Sequence, residues 1–406
     1  MALPHRPRSG QPEEVLSVND TTRQYINEHL DDDVPTLALK KAPVGTDLSL
    51  ALRQIEARQL LRKKAPEWSA NGDLLFPLRL PIEQCSSEAT ARYKAQLLEG
   101  DTFADLTGGL GIDTYYLSKR FRQGDYADPD PELCALARHN FGTLKAPITV
   151  WNEDAETFLS HCGAYDCLYI DPSRRDTHGR KTIAISDCTP NVAQLQDPLL
   201  QKAPTVLVKL SPMLDVKQAL LSLRHVKKVH VLAVANECKE LVFNLERDFD
   251  GTTELYCANL QTTQPLLHFT QEEERSCPLR LADHPQRYLY EPNAALLKAG
   301  CFKLVAERFG LRKLHENSHL YTSESRIPDF PGRVFEIEGW EPYNKKVVQT
   351  LLPDLVKANL AVRNFPLRAE ELRKTLKMSE GGDVYLFATT LKGGEKALIR
   401  TKKAAS

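Results

Sequence analysis

The stretch Asp105-Leu-Thr-Gly-Gly-Leu-Gly-Ile-Asp113 constrains the fold of this chain more than any other. It leaves a short apolar run, Thr102–Leu106, and enters an amphipathic one, Ile112–Phe121, so its glycines lie between a predicted strand and a predicted helix. Gly108, Gly109 and Gly111 permit a tight turn and a close backbone approach to a ligand. The same rhythm continues beyond it. A strand ends at Asp125–Asp128, Glu132–Phe141 reads as a helix, Ile148–Asn152 as a strand, Ala155–His161 as a helix and Asp166–Asp171 as a strand. Further strands are predicted at Thr205–Leu210, Val229–Ala235 and Glu254–Leu260. Strand–helix alternation over ~160 residues predicts an α/β fold with a mostly parallel, doubly wound sheet.

The flanks differ from this centre. Residues 14–66 read as helices, with Asp20 as cap for a helix from Thr21 and a second helix over Leu48–Lys64. A turn is expected around Phe76–Pro81, and a further helix over Ser87–Leu98. From Arg333 the order is strand, helix (Lys345–Leu355), strand (Ala361–Phe365), helix (Arg368–Met378) and a hairpin of Asp383–Thr390 with Lys396–Lys402. The expected segments are a helical region 1–98, an α/β core 99–275, a small segment 276–330 and an α+β domain 331–406. A length of 406 residues fits such a division. The last 106 residues hold 19 Lys and Arg against 13 Asp and Glu, whereas the whole chain carries a net charge of −1. A mildly basic C-terminal quarter suits a polyanion or a plain solvated surface. Residues 1–20 lack an apolar signal core, no stretch approaches a membrane span, and nine cysteines occur without a C-x-x-C pair. The expectation is a cytoplasmic protein with reduced thiols, no membrane and no metal.

Electrostatics narrows the ligand. A nicotinamide-type G-x-G-x-x-G would need a small last residue, and Gly109-Leu-Gly111-Ile-Asp113-Thr114 offers Thr114. Asp105 would repel a pyrophosphate but attract an ammonium group, which favours S-adenosylmethionine (SAM) over NAD. Asp128 follows about 20 residues after the glycines, where an acid accepts ribose hydroxyls. Asp154-Ala155 follows the third strand, where a carboxylate can take an adenine amino group. The fourth strand ends in Asp171-Pro-Ser-Arg-Arg175. Each acid alone reads more often as a helix cap or a solvated strand tip. Together they line the carboxyl edge of one sheet, where open α/β folds bind ligands.

With these residues in view, the chain resembles a class I SAM-dependent methyltransferase over residues 85–270. Across its whole length it is similar to a bacterial methyltransferase family with a helical N-terminal region, a Rossmann-like core, a small ferredoxin-like segment and a C-terminal THUMP-like domain. Glu83-Gln-Cys-Ser-Ser-Glu88 with Thr90, Tyr93 and Lys94, Lys209-Leu-Ser-Pro-Met-Leu-Asp215, Asn236-Glu-Cys-Lys-Glu-Leu241 and Glu291-Pro-Asn-Ala-Ala-Leu-Leu-Lys-Ala-Gly300 carry that likeness. The resemblance implies cofactor contacts from Asp105, Thr107, Gly109, Gly111, Asp113, Asp128, Asp154 and Ala155. It implies a catalytic strand end at Asp171, Pro172, Ser173 and Arg174.

THUMP domains accompany RNA-modifying enzymes, so RNA (tRNA or rRNA) is the implied partner, with a base exocyclic amino group as first-choice acceptor. Ser173 and Arg174 stand where that amino-methylating motif has a second Pro and an aromatic ring. Arg174, Arg175, Arg180 and Lys181 form a cationic loop that suits an anionic substrate backbone. Arg363, Arg368, Arg373, Lys374 and Lys377 are the RNA handle expected in the C-terminal domain. Cys167 and Cys188 read as ordinary buried residues rather than as a nucleophile for pyrimidine C5 chemistry. Two alternatives stay open: transfer to a small molecule or protein, and a non-catalytic RNA-binding protein with a degenerate methyltransferase fold.

Overall fold

The computed structural model describes residues 18–173, 185–344, 347–353 and 355–404. It forms two compact units, Met1–Lys227 with Glu240–Gly251, and Lys228–Lys239 with Thr252–Ser406.

The first unit begins with helices. Asn19, not Asp20, caps the helix Asp20–Glu28 by accepting from the Thr22 N–H at 2.8 Å. Tyr25, Ile26, Leu37, Ala51 and Ile55 form the local core. Arg58 is buried and donates to the carbonyls of Ser69, Asn71, Gly72 and Leu74, which folds that segment around one guanidinium. The expected turn at Phe76–Pro81 instead runs into a short helix, Arg79–Gln84. The helix Glu88–Ala95 follows, capped by Ser87.

The sheet of this unit contains β1 (Thr102–Asp105), β2 (Gln123–Ala127), β3 (Ile148–Trp151), β4 (Cys167–Ile170) and β5 (Thr205–Leu210). Their order is β3-β2-β1-β4-β5, and every adjacent pair is parallel. Parallel strands covered on both faces need near-continuous apolar runs, and β4 is buried throughout. The chain runs outward from β1 through β2 and β3, then returns to β4 on the other side of β1. That reversal opens a crevice at the carboxyl ends of β1 and β4.

Beyond β5 lies an antiparallel strand, Glu237–Glu246, with Leu210 opposite Leu241. Glu237-Cys-Lys-Glu240, which the sequence places after a predicted strand, begins a strand of its own. The buried run Leu241–Leu245 that follows anchors this strand in the sheet.

In the second unit, Val226–Val234 pairs in parallel with Glu254–Leu260, which pairs antiparallel with Leu267–Thr270. A seven-stranded sheet follows, in the order Arg312–Lys313, Tyr321–Ser323, Tyr288–Pro292, Gly332–Pro342, Lys396–Lys403, Ser379–Thr390, Lys357–Arg363. Lys357–Arg363 and Ser379–Thr390 run parallel, and the helix Ala369–Leu376 between them buries Leu372 and Leu376. The C-terminal hairpin closes with Thr390 opposite Lys396. The helix expected over Lys345–Leu355 covers Val347–Thr350 and stops before Pro353, as a proline demands.

Candidate active site

The glycine turn is stitched to the end of β2 by its own backbone. Gly108 N–H donates to the Ala127 carbonyl at 3.0 Å, and Gly109 N–H to Asp128 Oδ2 at 2.9 Å. The Tyr126 hydroxyl donates to the Gly109 carbonyl at 2.7 Å. Gly111, at φ +84°, opens the helix Ile112–Ser118 in a left-handed conformation that other residues adopt at a cost. A Cβ on Gly108 would lie 2.0 Å from Tyr126 Cε2. Tyr126 is fully buried and its hydroxyl is tied down, so the ring has nowhere to go. Gly108→Ala is therefore expected to destabilise the core by about 1–3 kcal/mol or more, read as a fall in melting temperature.

Asp105 ends β1 at 1% exposure. One carboxylate oxygen accepts from Thr107 N–H at 3.0 Å and the other from the Thr114 hydroxyl at 2.6 Å. Burial pushes its pKa up to about 7 despite these two bonds. Thr107 also accepts from the Asp171 N–H at 2.6 Å, which ties the turn to the end of β4. Asp128 takes the Gly109 and Asp130 N–H groups on its two oxygens, and burial raises its pKa as well.

Three further residues expected to touch the cofactor, Asp154, Ala155 and Asp113, have defined places in the fold. Asp154 caps the helix Ala155–His161, accepting from Thr157 N–H at 2.7 Å, and that bond holds its carboxyl below the usual range. Ala155 is buried in the first turn of that helix. Asp113 is engaged by Lys94 at 2.8 Å, by the Ser86 hydroxyl at 2.6 Å and by the Tyr169 hydroxyl at 2.8 Å.

That cluster extends further. Lys94, with no exposed surface, also pairs with Glu240 at 2.7 Å and donates to Ser86 at 2.7 Å. Glu240 in turn accepts from the Thr90 hydroxyl at 2.7 Å. At the end of β4 Asp171 is ion-paired with Lys209 of β5. Desolvation alone would lower the Lys209 pKa, but the carboxylates of Asp171, Glu240 and Asp113 outweigh it and hold the ammonium above the ordinary lysine range. From the sequence, Glu237-Cys-Lys-Glu240 fits either a structural ion-pair cluster or the substrate cleft, and Glu240 is in a buried ion pair with Lys94; Lys94 and Lys209 enter only through the blocks that carry the family resemblance. Their one signal was a lysine or acid set among residues that otherwise read as core.

Ser173 pairs with Thr189 through two backbone bonds, at 2.7 and 2.9 Å. Arg174, Arg175, Arg180 and Lys181 lie outside the described residues. Cys167 and Cys188 are buried, and burial pushes the Cys167 thiol up to about 12, far from a reactive thiolate. Among the described residues no group of three His, Cys, Asp or Glu is placed to hold a metal ion, and no helix is long and apolar enough to cross a membrane.

The arrangement fits a cationic ligand. Asp105, Asp113, Asp171 and Glu240 outnumber Lys94 and Lys209, so the crevice carries an excess of negative charge, complete once Asp105 ionises above its pKa of about 7. A sulfonium amino acid gains from that excess, and a pyrophosphate loses. Asp105, Asp128 and the turn from Thr107 to Gly111 are the residues that would hold such a donor.

In the second unit, Glu291 is buried and ion-paired with both Arg333 and Arg363. These two arginines, with Arg368, Asn359, Phe365 and Tyr385, line a groove of about 740 Å³. Arg373 pairs with Glu380, while Lys374 and Lys377 lie at the end of the same helix.

Comparison with known proteins places this architecture. Family models match a ferredoxin-like domain at residues 288–331 and a THUMP domain-like region at residues 332–403. The crystal structure of a candidate methyltransferase from Porphyromonas gingivalis W83 is 37% identical. It superposes with a TM-score of 0.84 and covers 95% of this chain and 98% of that one. The chain belongs to that protein's family, the class I methyltransferases that carry a ferredoxin-like segment and a THUMP-like C-terminal domain. An rRNA methylase from Streptococcus thermophilus aligns at 14% identity and TM-score 0.29, over 42% of this chain and 99% of that one. The candidate methyltransferase yhhF of Escherichia coli aligns at 18% and 0.30, over 40% and 85%. These two likenesses are too slight to carry weight. No curated protein matches the sequence.

Proposed function

We propose that this methyltransferase uses SAM as methyl donor and methylates RNA, tRNA or rRNA, in the cytoplasm. The observation that carries the donor is the glycine turn anchored by Asp105 at the reversal point of the sheet, in a crevice with more carboxylates than ammoniums. When bound, the donor supplies an electrophilic methyl group on a sulfonium. The chain's own residues orient it: Asp105 provides negative charge beneath the turn, Asp128 holds the turn open, and Thr107 links it to the Asp171 end of β4.

RNA is supported by the THUMP-like region and by the arginine-lined groove, where Phe365 and Tyr385 offer stacking surfaces. Direct transfer to nitrogen or oxygen needs no enzyme nucleophile, in keeping with the inert cysteines. Asp171-Pro172, at the carboxyl end of β4, is where the acceptor would meet the donor.

Calorimetry with SAM, followed by transfer of labelled methyl groups to total RNA from cells lacking the gene, tests both halves. Binding without transfer to RNA would sink the RNA half, and absence of binding would sink the whole. RNA affinity is expected to fall steeply with salt. Arg368→Ala with Lys377→Ala should weaken RNA binding several-fold and flatten the log–log salt slope by about 0.7 per lost single-strand phosphate contact. Donor affinity should stay unchanged.

A further inference from the structure

We propose that the methyl acceptor is a hydroxyl oxygen, the ribose 2′-hydroxyl of the RNA, held between the ammonium of Lys209 and the carboxylate of Asp171. This rests on the RNA-methyltransferase reading above and names the atom it modifies. Four separate elements deliver the charges that define the place: Lys94 from the helix before β1, Asp171 from the end of β4, Lys209 from β5 and Glu240 from the antiparallel strand beside β5. Exposure grades across the cluster. Lys94 is completely enclosed and Glu240 nearly so, whereas the Asp171 side chain is 31% exposed with Lys209 behind it at 10%. The open end of a buried charge network therefore presents one carboxylate and one ammonium, side by side.

Donor and acceptor counting decides between the two acceptor atoms. An exocyclic amino group offers two N–H donors, and its nitrogen lone pair is drawn into the ring. It needs hydrogen-bond acceptors around it. Here one of the two Asp171 oxygens, Oδ2, is taken by the Lys209 ammonium, so a single carboxylate oxygen stays open beside a group whose N–H bonds point positive charge at anything bound alongside. A hydroxyl has one donor and two acceptor lone pairs. It can give its O–H to Asp171 and receive an N–H from Lys209 at once. The residue after Ser173 is Arg174, so the motif lacks the aromatic ring that would stack an extruded base.

The chemistry then balances. The hydroxyl proton passes to the Asp171 carboxylate, and the freed oxygen pair forms the new O–CH3 bond. The C–S bond of the sulfonium donor breaks, with its electrons staying on sulfur. The Lys209 ammonium stabilises the negative charge that develops on oxygen. Lys209, held protonated by its carboxylate neighbours, serves as that donor and not as the base. Lys94 and Glu240 are positioning residues: they fix the helix before β1 against the strand beside β5 and reach no solvent.

The test uses the full chain with labelled SAM and RNA from cells lacking the gene, digested to nucleosides and fragmented by tandem mass spectrometry. The methyl group is expected on the sugar fragment, and the modified phosphodiester is expected to resist alkali. A methyl on the base fragment overturns this inference and leaves the RNA-methyltransferase reading intact. Donor binding without any transfer to RNA overturns both.

Lys209→Met is expected to lose about 100-fold in transfer rate, as for removal of one oxyanion donor. Its SAM affinity should stay within about threefold of the parent, well under one donor's worth. Since a lone Asp171 could disturb folding, the neutral pair Asp171→Asn with Lys209→Gln keeps a hydrogen bond without charge. That variant should fold, bind SAM and transfer at background rate. Transfer near the parent level in either folded variant would remove the pair from the reaction.

Discussion

Asp105→Asn is expected to melt at a higher temperature than the parent at pH 8 while binding SAM far more weakly. The carboxyl of Asp105 sits at a pKa of about 7 in the folded chain against an ordinary 3.8. Between those values the folded state holds a proton that the unfolded state has released, so stability falls as pH rises through that window. The fall amounts to roughly 4 kcal/mol at one 1.36 kcal/mol step per pKa unit, and it is complete above pH 7. Asparagine does not ionise and escapes it. Its amide can still accept from Thr107 N–H and donate to the Thr114 hydroxyl, the two partners Asp105 uses. The stabilisation should vanish near pH 4, where the parent carboxyl is protonated.

The donor feels the opposite change. An opposite charge about 6 Å away is worth roughly 3 kcal/mol at an effective dielectric of 20, which corresponds to a loss of about 100-fold in affinity. Thermal melts at pH 4 and pH 8, with calorimetry at pH 8, check both arms. A variant that gains no stability at pH 8, or that binds SAM like the parent, would refute the assignment of Asp105 as the cation-attracting group.

Lys94→Met is the second large effect. It should lose about 3–5 kcal/mol of stability at pH 8, because it leaves Asp113 and Glu240 buried and deprived of their shared ammonium. In the parent, burial would raise the Asp113 pKa, but Lys94 and Lys209 outweigh that and hold it below the ordinary value. Asp113 therefore contributes stability above the usual carboxylate range, lost only as pH falls through its depressed pKa. Without Lys94, burial acts against Lys209 and the Ser86 hydroxyl, and the Asp113 pKa rises. The variant should then recover relative to the parent as pH drops from 8 to 5, where its Asp113 carboxyl takes up a proton. Urea unfolding at the two values measures this. A deficit that is equal at both would mean that lost packing, and not stranded charge, sets the cost.

Removing Lys94 differs in kind from removing Lys209. Lys209 stands at the open end of the cluster, so its loss is read in transfer rate; Lys94 is enclosed, so its loss is read first in folding. The two variants together separate the network's structural work from its chemical work.

Reading the chain in one dimension reached far where the signal was local. The Gly108–Gly111 turn lies between an apolar run and an amphipathic one, and β1 and the helix Ile112–Ser118 lie on either side of it. The parallel sheet follows from apolar runs alternating with helices, since only helical crossovers return the chain in the same direction. Asp105, Asp128 and Asp171 all lie at or just past carboxyl ends of strands; Asp171 follows the apolar run Cys167–Ile170 directly, whereas Asp128 follows the mixed strand Gln123–Ala127. Asn19 displaced Asp20 as cap by one position, a difference that only backbone geometry settles.

The strand Glu237–Glu246 escaped notice since its first residues are polar. What the sequence by itself determined was thus the fold class, the turn and the row of acids along one sheet edge, all set by residues near one another in the chain. Tertiary structure alone decided which protein groups each of those acids meets. It turned Asp113 toward Lys94 and left Asp154 capping a helix. It also brought Lys94 to Glu240 across 146 positions and Lys209 to Asp171 across 38. Charge pairing in a desolvated interior depends on distance in space, and no periodicity or spacing along the chain encodes that distance.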